Sequence, residues 1–467
     1  MTPCHLGQPI ASSEPEPMKR ILLMLVLGWL PVGAQDPVMS LNDAVRLALD
    51  KNKAIEASNA ARKGADTRIS EARSGLLPKV NYSESWARSD NPVFVFSSLL
   101  TQHQFGTQNF QIGPLNRPDF VNNFQSQLTA DQVLYDAGLT KHAVRSAELT
   151  RDITGEEGRR TQMEVIAAVI RAYYDSLLSA DQLNATSQAM RSAEADLERA
   201  QAIRSAGMST DVDTLSIRVH LAGVREQQIR READVDVTRA ALNDAIGLPL
   251  DTPHTLTTAL IPLDSPQGSL ADQENSAAAR RPEVRQAKLA TSLADTHAAS
   301  ARSSLLPQVT LHGAFEADRR RFVTQGGDNW LVSIGLRWNL FNGFGDKARI
   351  EASKLVQQQR SAEEARTSSA IRLQVHRAYA DLHAATQRIE VAKASITEAE
   401  ESLRITQNRY EAGISNVTDL LRTETTVLEA RTRHLAAIRD QRIAAAMLDL
   451  AAGTLTPDSA VLNERAR

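Results

Sequence analysis

The sequence predicts a mainly α-helical chain with four β-strands, built as two copies of one unit in which a strand pair is carried on long antiparallel helical hairpins. Three observations predict this. Short blocks recur in the same order along the chain, helical stretches run on a seven-residue period, and strand stretches of about ten residues alternate in polarity near each long helix. Composition agrees: hydrophobic residues reach 42% but aromatics only 4%, which favours long helices packed through small side chains.

The repeat comes first. Leu76-Leu77-Pro78-Lys79-Val80 recurs as Leu305-Leu306-Pro307-Gln308-Val309, and Ala65 and Ala72 match Ala294 and Ala301. Leu134-Tyr135-Asp136 recurs as Leu340-Phe341-Asn342, and Arg171-Ala172-Tyr173 as Arg377-Ala378-Tyr379. Ala206-Gly207-Met208-Ser209 recurs as Ala412-Gly413-Ile414-Ser415, Asp213 falls on Asp419 and Gly247 on Gly453. The offset is 229 up to the first strand (76 to 305) and 206 afterwards (171 to 377), so 23 extra residues lie between Pro78 and Leu134. That longer first hairpin holds Phe94, Phe96, Phe105, Phe110, Phe120 and Phe124 and is expected to form a larger outer loop.

Each half reads helix, strand pair, long helix, helix. Ser40-Leu41-Asn42-Asp43 is a capping-box-like start, and a helix is expected from there to about Leu76, where Leu-Leu-Pro stops it. Its partner is expected from about Asp272 to Leu306. Trp330, Val332, Ile334, Leu336, Trp338 and Leu340 alternate with Leu331, Ser333, Gly335, Arg337 and Asn339, a period-two run as long as a tilted membrane strand. Trp330 and Trp338 are expected near its two ends, and Trp86 on the first strand of the other half, as membrane-interface aromatics. Val309, Leu311 and Phe315 mark the preceding strand; Val80, Tyr82 and Trp86 (interrupted by Glu84), with Phe124, Leu128 and Leu134, mark the first-half pair.

In the second long helix Val375, Leu382, Ile389, Ile396 and Leu403 recur every seven residues, with Ala378, Ala385, Ala392 and Ala399 three residues on. The first repeats the seam with Val169/Ala172, Leu183/Thr186, Met190/Ala193 and Leu197/Ala200, interrupted at Ser176. Leu139 to Ala206 makes a rod of about 100 Å at 1.5 Å per residue. The helices on either side are about half as long and would stack end to end beside it. The hairpin-tip turns are Gly207 and Gly413.

Before the repeats, Met18-Lys19-Arg20, the apolar run Ile21 to Leu30 and Pro31-Val32-Gly33-Ala34 read as a cleaved leader, with residues 1–17 upstream of the expected start at Met18. The expected organisation is residues 1–34 removed, a first repeat 35–247, a linker 248–271, a second repeat 272–453 and a polar tail 454–467. The only cysteine, Cys4, precedes the leader, so no disulfide and no cysteine metal site is expected. No apolar stretch approaches a spanning helix, so any crossing of a membrane must use strands. Four strands do not close a barrel alone, so self-assembly would follow.

These features resemble the TolC family of outer-membrane efflux proteins. Ser40-Leu41-Asn42-Asp43-Ala44, Leu76-Leu77-Pro78, Leu340-Phe341-Asn342-Gly343, Arg409-Tyr410-Glu411-Ala412-Gly413 and Asp419-Leu420-Leu421 carry the resemblance, which covers nearly all of residues 38–453. It implies a homotrimer with a twelve-strand barrel in outer-membrane lipid and a helical tunnel in the periplasm. It also implies an exit duct working with a periplasmic adaptor protein and an inner-membrane pump in efflux or type I secretion. The family closes its tunnel at the helix turns, which carries a periplasmic gate onto Asp419, its repeat mate Asp213, nearby Asp211, and Tyr410 as a latch. A second acidic residue expected one turn after Asp419 is Arg422 here. Acidic side chains converging on a narrow pore raise the local cation concentration.

Other chemistries find little support. Net charge is −3, which gives no basic field for nucleic acid. The histidines are scattered without metal-ligand spacing, and no nucleophile elbow or phosphate loop occurs. No catalytic, cofactor-binding or metal residues are therefore expected, and the chain is not expected to be an enzyme. The rival reading is a soluble periplasmic coiled-coil adaptor or scaffold, which would share the leader and heptads but has no need of tryptophan-flanked strands in both halves.

Overall fold

The computed structural model describes residues 38–206, 210–263, 268–323 and 326–462; the leader and Gly207 lie outside them. In chain order the elements are β1 (Val38–Met39), α1 (Leu41–Lys51), α2 (Lys53–Arg73), β2 (Lys79–Ser89), α3 (Pro92–Thr101), α4 (Ile112–Asn116), β3 (Val121–Tyr135), α5 (Leu139–Ser205) and α6 (Asp211–Ile246). Then follow β4 (Thr255–Leu256), α7 (Leu270–Arg280), α8 (Pro282–Ser303), β5 (Gln308–Arg319), β6 (Gly327–Arg337), α9 (Gly345–Glu411) and α10 (Val417–Ala452). α5 and α9 each have 67 residues, and α6 and α10 each have 36. All their ends fall 206 residues apart (139 and 345, 205 and 411, 211 and 417, 246 and 452).

The flanking helices differ from expectation. Neither runs unbroken; one divides at Asn52 and the other at Arg281. Asn52 is extended, accepts from the Ala54 amide at 2.8 Å and donates to the Ala245 carbonyl at 2.8 Å, near the end of α6. Arg281 precedes Pro282, whose ring disfavours the helical conformation at the residue before it. Its guanidinium bonds the Leu450 carbonyl and, at 3.1 Å, Gln374. The facing helices end on left-handed glycines, Gly247 at φ 90° and Gly453 at φ 74°. A Cβ on Gly247 would lie 2.7 Å from the Lys51 carbonyl oxygen, and one on Gly453 2.9 Å from the Arg281 amide nitrogen. Each repeat thus places two shorter rods end to end beside one long helix.

The main core surrounds this joint. Leu41, Ala44, Val45 and Ala48 of α1 pack on Val169, Ile170, Tyr173 and Tyr174 of α5 and on Leu242 and Ile246 of α6. Chain outside the repeats is drawn in as well. β1 pairs in parallel with β4, and the Tyr173 hydroxyl bonds the Met39 carbonyl at 3.0 Å and Thr258 at 2.7 Å. Arg442 donates to the Ile261 carbonyl at 2.7 Å. The stretch read as a linker is therefore a packed belt. The described part of the stretch read as a polar tail is anchored by buried Leu455 and Leu462, with partly buried Val461 packed on the same core.

The four long strands form one antiparallel sheet in the order β2-β3-β5-β6, leaving β2 and β6 as free edges. Registers align residue types across it. Tyr82, Leu128, Phe315 and Trp330 share one row, and Leu311 with Ile334 and Val309 with Leu336 share others. This face is apolar. The opposite face carries Asn81, Ser83 and Ser85, then Gln125, Gln127 and Thr129, then His312 and Glu316, then Asn329 and Ser333. Glu84 does not interrupt β2. Although on the apolar face, it accepts from Tyr82 at 2.7 Å, from Ser126, and from Arg319 of β5 at 3.0 Å. β6 starts three residues earlier than expected and ends at Arg337, so Trp330 sits inside the strand and Trp338 just past its end. Trp338 donates to the Leu305 carbonyl at 3.0 Å, fastening strand to helix. Trp86 lies near the hairpin end of β2 beside Phe124.

Candidate functional site

The expected gate residues lie where α5 turns into α6 and α9 into α10, farthest from the sheet. Thr210 caps α6. Its hydroxyl accepts from the Asp213 amide at 3.3 Å, and the Asp213 carboxylate accepts from the Thr210 hydroxyl at 2.9 Å. Asn416 caps α10, accepting from the Asp419 amide at 2.9 Å, while Ser415 donates to the Asp419 carboxylate at 3.3 Å. Both carboxylates therefore sit in first turns, where the helix dipole favours negative charge. Asp211 closes its own turn through Arg204 at 2.5 Å. At the other tip Gly413, at φ 71°, lets the Ile414 amide reach back to the Arg409 carbonyl at 2.8 Å. Gly207 falls outside the described residues.

Tyr410 is brought to Asp213. It packs on a small core of Ala200, Ile217 and Val417. Burial, then the negative charges of Asp213 and Asp196, hold its hydroxyl above its ordinary pKa, with Arg199 opposing.

One to two turns further along the bundle lies a polar layer that sequence reasoning missed. His220 of α6 and Glu424 of α10 approach to 3.5 Å. Asp196 of α5 is buried and faces Glu424, while Arg199 pairs with Asp196 at 3.2 Å and with Glu411 of α9 at 3.5 Å. All four hairpin helices thus contribute. Burial pushes Glu424 up to about 8, helped by the Asp196 carboxylate and opposed by Arg199. Burial also pushes His220 down, opposed by Asp196. Glu424 and His220 are therefore both held toward their neutral forms. A signal existed: Asp196 lies between Ala193 and Ala200, His220 between Ile217 and Val224, and Glu424 between Leu420 and Val427, each at seam spacing. Toward the sheet the helices part around a cavity of 1210 Å³ lined by Gln188, His220, Gln227, Glu424 and Arg431 among others.

The described helices include none long and apolar enough to cross a membrane, which leaves the sheet as the described element that suits lipid. Among curated relatives, Protein CyaE of Bordetella pertussis is 29% identical over 345 residues, covering 72% of each chain. The pyoverdine export outer membrane protein OpmQ of Pseudomonas putida is 24% identical over 400 residues, covering 84% of this chain and 81% of its own. Among solved structures, the Campylobacter jejuni CmeC outer membrane channel superposes with a TM-score of 0.75 at 16% identity, over 90% of this chain and 87% of that one. Residues 44–248 and 275–454 match the model of one family. With two-faced strands, long helical hairpins and that match over both repeats, the chain belongs to the outer membrane efflux protein family, the exit ducts whose helices extend into the periplasm.

Proposed function

We propose that three copies of this chain close a twelve-strand barrel and a helical tunnel that a periplasmic adaptor joins to an inner-membrane pump. The observation that carries this is the two-faced four-strand sheet with both edges unpaired. Free edges in lipid leave backbone groups unsatisfied at several kcal/mol each, and three sheets side by side remove them all. The exposed area agrees. The chain presents 30305 Å², whereas a compact chain of its mass would present about 17,000 Å².

In the assembly the tips of α5/α6 and α9/α10 form the periplasmic gate. Asp213 and Asp419 ring the constriction, with Asp211 bound to its turn and Tyr410 holding one hairpin against the other. The cavity beside the polar layer lies between the two hairpins of one chain. Relatives named for pyoverdine export and for alkaline protease secretion support both a small-molecule and a protein cargo class. Planar-bilayer recording tests the reading. Purified protein should give discrete cation-preferring channels, and the double substitution Asp213→Ala with Asp419→Ala should weaken block by multivalent cations added at the tip side. Unchanged block would remove these aspartates from the constriction, and an absence of channels would remove the duct itself.

A further inference from the structure

The extra residues of the first hairpin fold in a definite direction. Along α3, Val95, Ser98 and Gln102 are buried at helical spacing. They press on the polar face of the sheet at its hairpin end. Gln102, 2% exposed, donates from its amide to the Asn122 carbonyl at 2.9 Å and to the Asn123 side chain at 2.8 Å. Asn123 in turn donates to Asp318, 1% exposed, at 2.5 Å. Asn329 donates to the Thr101 carbonyl at 3.3 Å. Val121, Asn123, Asp318 and Gly327 are buried on strands that are otherwise half-buried or exposed. Gly327 has no room for a side chain, because a Cβ would stand 1.9 Å from the Thr101 carbonyl oxygen.

The anchor side chains Asn123, Asp318 and Asn329 share the parity of the polar face. In a barrel whose apolar face meets lipid, that parity is the lumen. We propose that residues 92–116 form a lid folded inward over the outer mouth of the duct, limiting the size of what passes there. This rests on the barrel reading above. On the side of α3 away from the sheet, Val93, Phe96 and Leu100 form an exposed apolar stripe, and Pro92–Thr101 contains no charged residue. In a closed barrel that stripe points inward, so its partners are the stripes of the other copies, which meet without charge repulsion. Edge-to-face contacts of Phe96 with Phe105 and of Phe105 with Phe110 brace the rest of the insertion.

Polymer exclusion in planar bilayers tests the lid. Neutral polyethylene glycols of graded mass are added on the hairpin side, and the smallest polymer that fails to lower conductance is recorded. Two variants are compared with the parent: residues 93–115 replaced by a short Gly-Ser turn, and Gly327→Leu, which displaces Thr101 without shortening the chain. Both should admit larger polymers from the hairpin side, with the tip-side cut-off unchanged. Equal hairpin-side cut-offs in assembled parent and variant channels overturn the lid and leave the duct standing. If the shortened chain does not assemble, the Gly327→Leu comparison decides. A parent that forms no channel counts against the duct instead.

Discussion

In the seams of the two helical hairpins, Asp196, His220 and Glu424 occupy positions where a heptad calls for hydrocarbon. Their consequence is a pH dependence with two limbs. Glu424 is raised from 4.5 to about 8, so the closed bundle keeps its full contribution from this group below about 4.5. That contribution is lost as pH rises through about 8, because a separated Glu424 would ionise earlier. His220 is lowered from 6.5, so its contribution is present above 6.5 and lost as pH falls through the depressed value. Spin-label distances between α6 and α10 should therefore be shortest at intermediate pH. Glu424→Gln should abolish the alkaline widening and keep the acid one, and a variant still widening up to pH 9 would contradict this assignment. The duplicated Asp213 and Asp419 were legible in the sequence because a repeat makes single residues comparable. The polar layer left only its seam spacing as a signal, and an isolated acid in a charge-rich helix still looks like solvated surface until its neighbours are known.

At the scale of elements, the repeat made the long rods readable almost to the residue, since both seam and offset persist over 67 residues. The breaks at Asn52 and Arg281 were harder. Pro282 signals one of them, but an asparagine within helix-forming sequence gives no comparable warning; its capping role depends on α6 ending opposite it. A glycine at a hairpin tip and one at a joint differ in kind. Gly413 has a positive φ but open space around the missing Cβ, whereas Gly247 has a positive φ and backbone only 2.7 Å away. Gly413→Ala should cost about 1–2 kcal/mol, the penalty of the left-handed conformation alone. Gly247→Ala should cost more, because Lys51 and Asn52 must also shift. Thermal unfolding in detergent, read by circular dichroism, should rank them in that order, and equal losses would show that the joint is looser than its geometry. The packing of Leu455 and Leu462 was also illegible, since two leucines in a polar stretch carry no periodicity.

At the scale of the whole molecule, self-assembly is demanded by the sheet more than by the helices. A sheet with two free edges is an open part of a wall, and on the three-copy assembly proposed above native mass measurement in detergent should find three copies per particle; any other count would contradict that proposal. The same wall shows why its hydropathy was only partly readable. Single strands alternate imperfectly, and only the cross-strand rows reveal one apolar and one polar face. Glu84 shows this best: alone it weakens β2, but in the sheet it is answered by Arg319 of the other repeat. Arg319→Ala should lower the temperature at which the assembled barrel comes apart on a semi-native gel, while Glu84→Gln with Arg319→Gln should recover part of that loss. A carboxylate that faces lipid without its counter-charge is disfavoured, and removing both charges avoids this.

That ion pair also bears on biogenesis. Glu84 is translated more than two hundred residues before Arg319, and the pair forms only when β2, β3 and β5 lie in their final register. A chain carrying only its first hairpin would present an unanswered carboxylate to hydrocarbon. A register slipped by one residue would turn Glu84 to the polar face and away from Arg319. The full set of partners around Glu84 is therefore complete only once strands of both halves lie side by side.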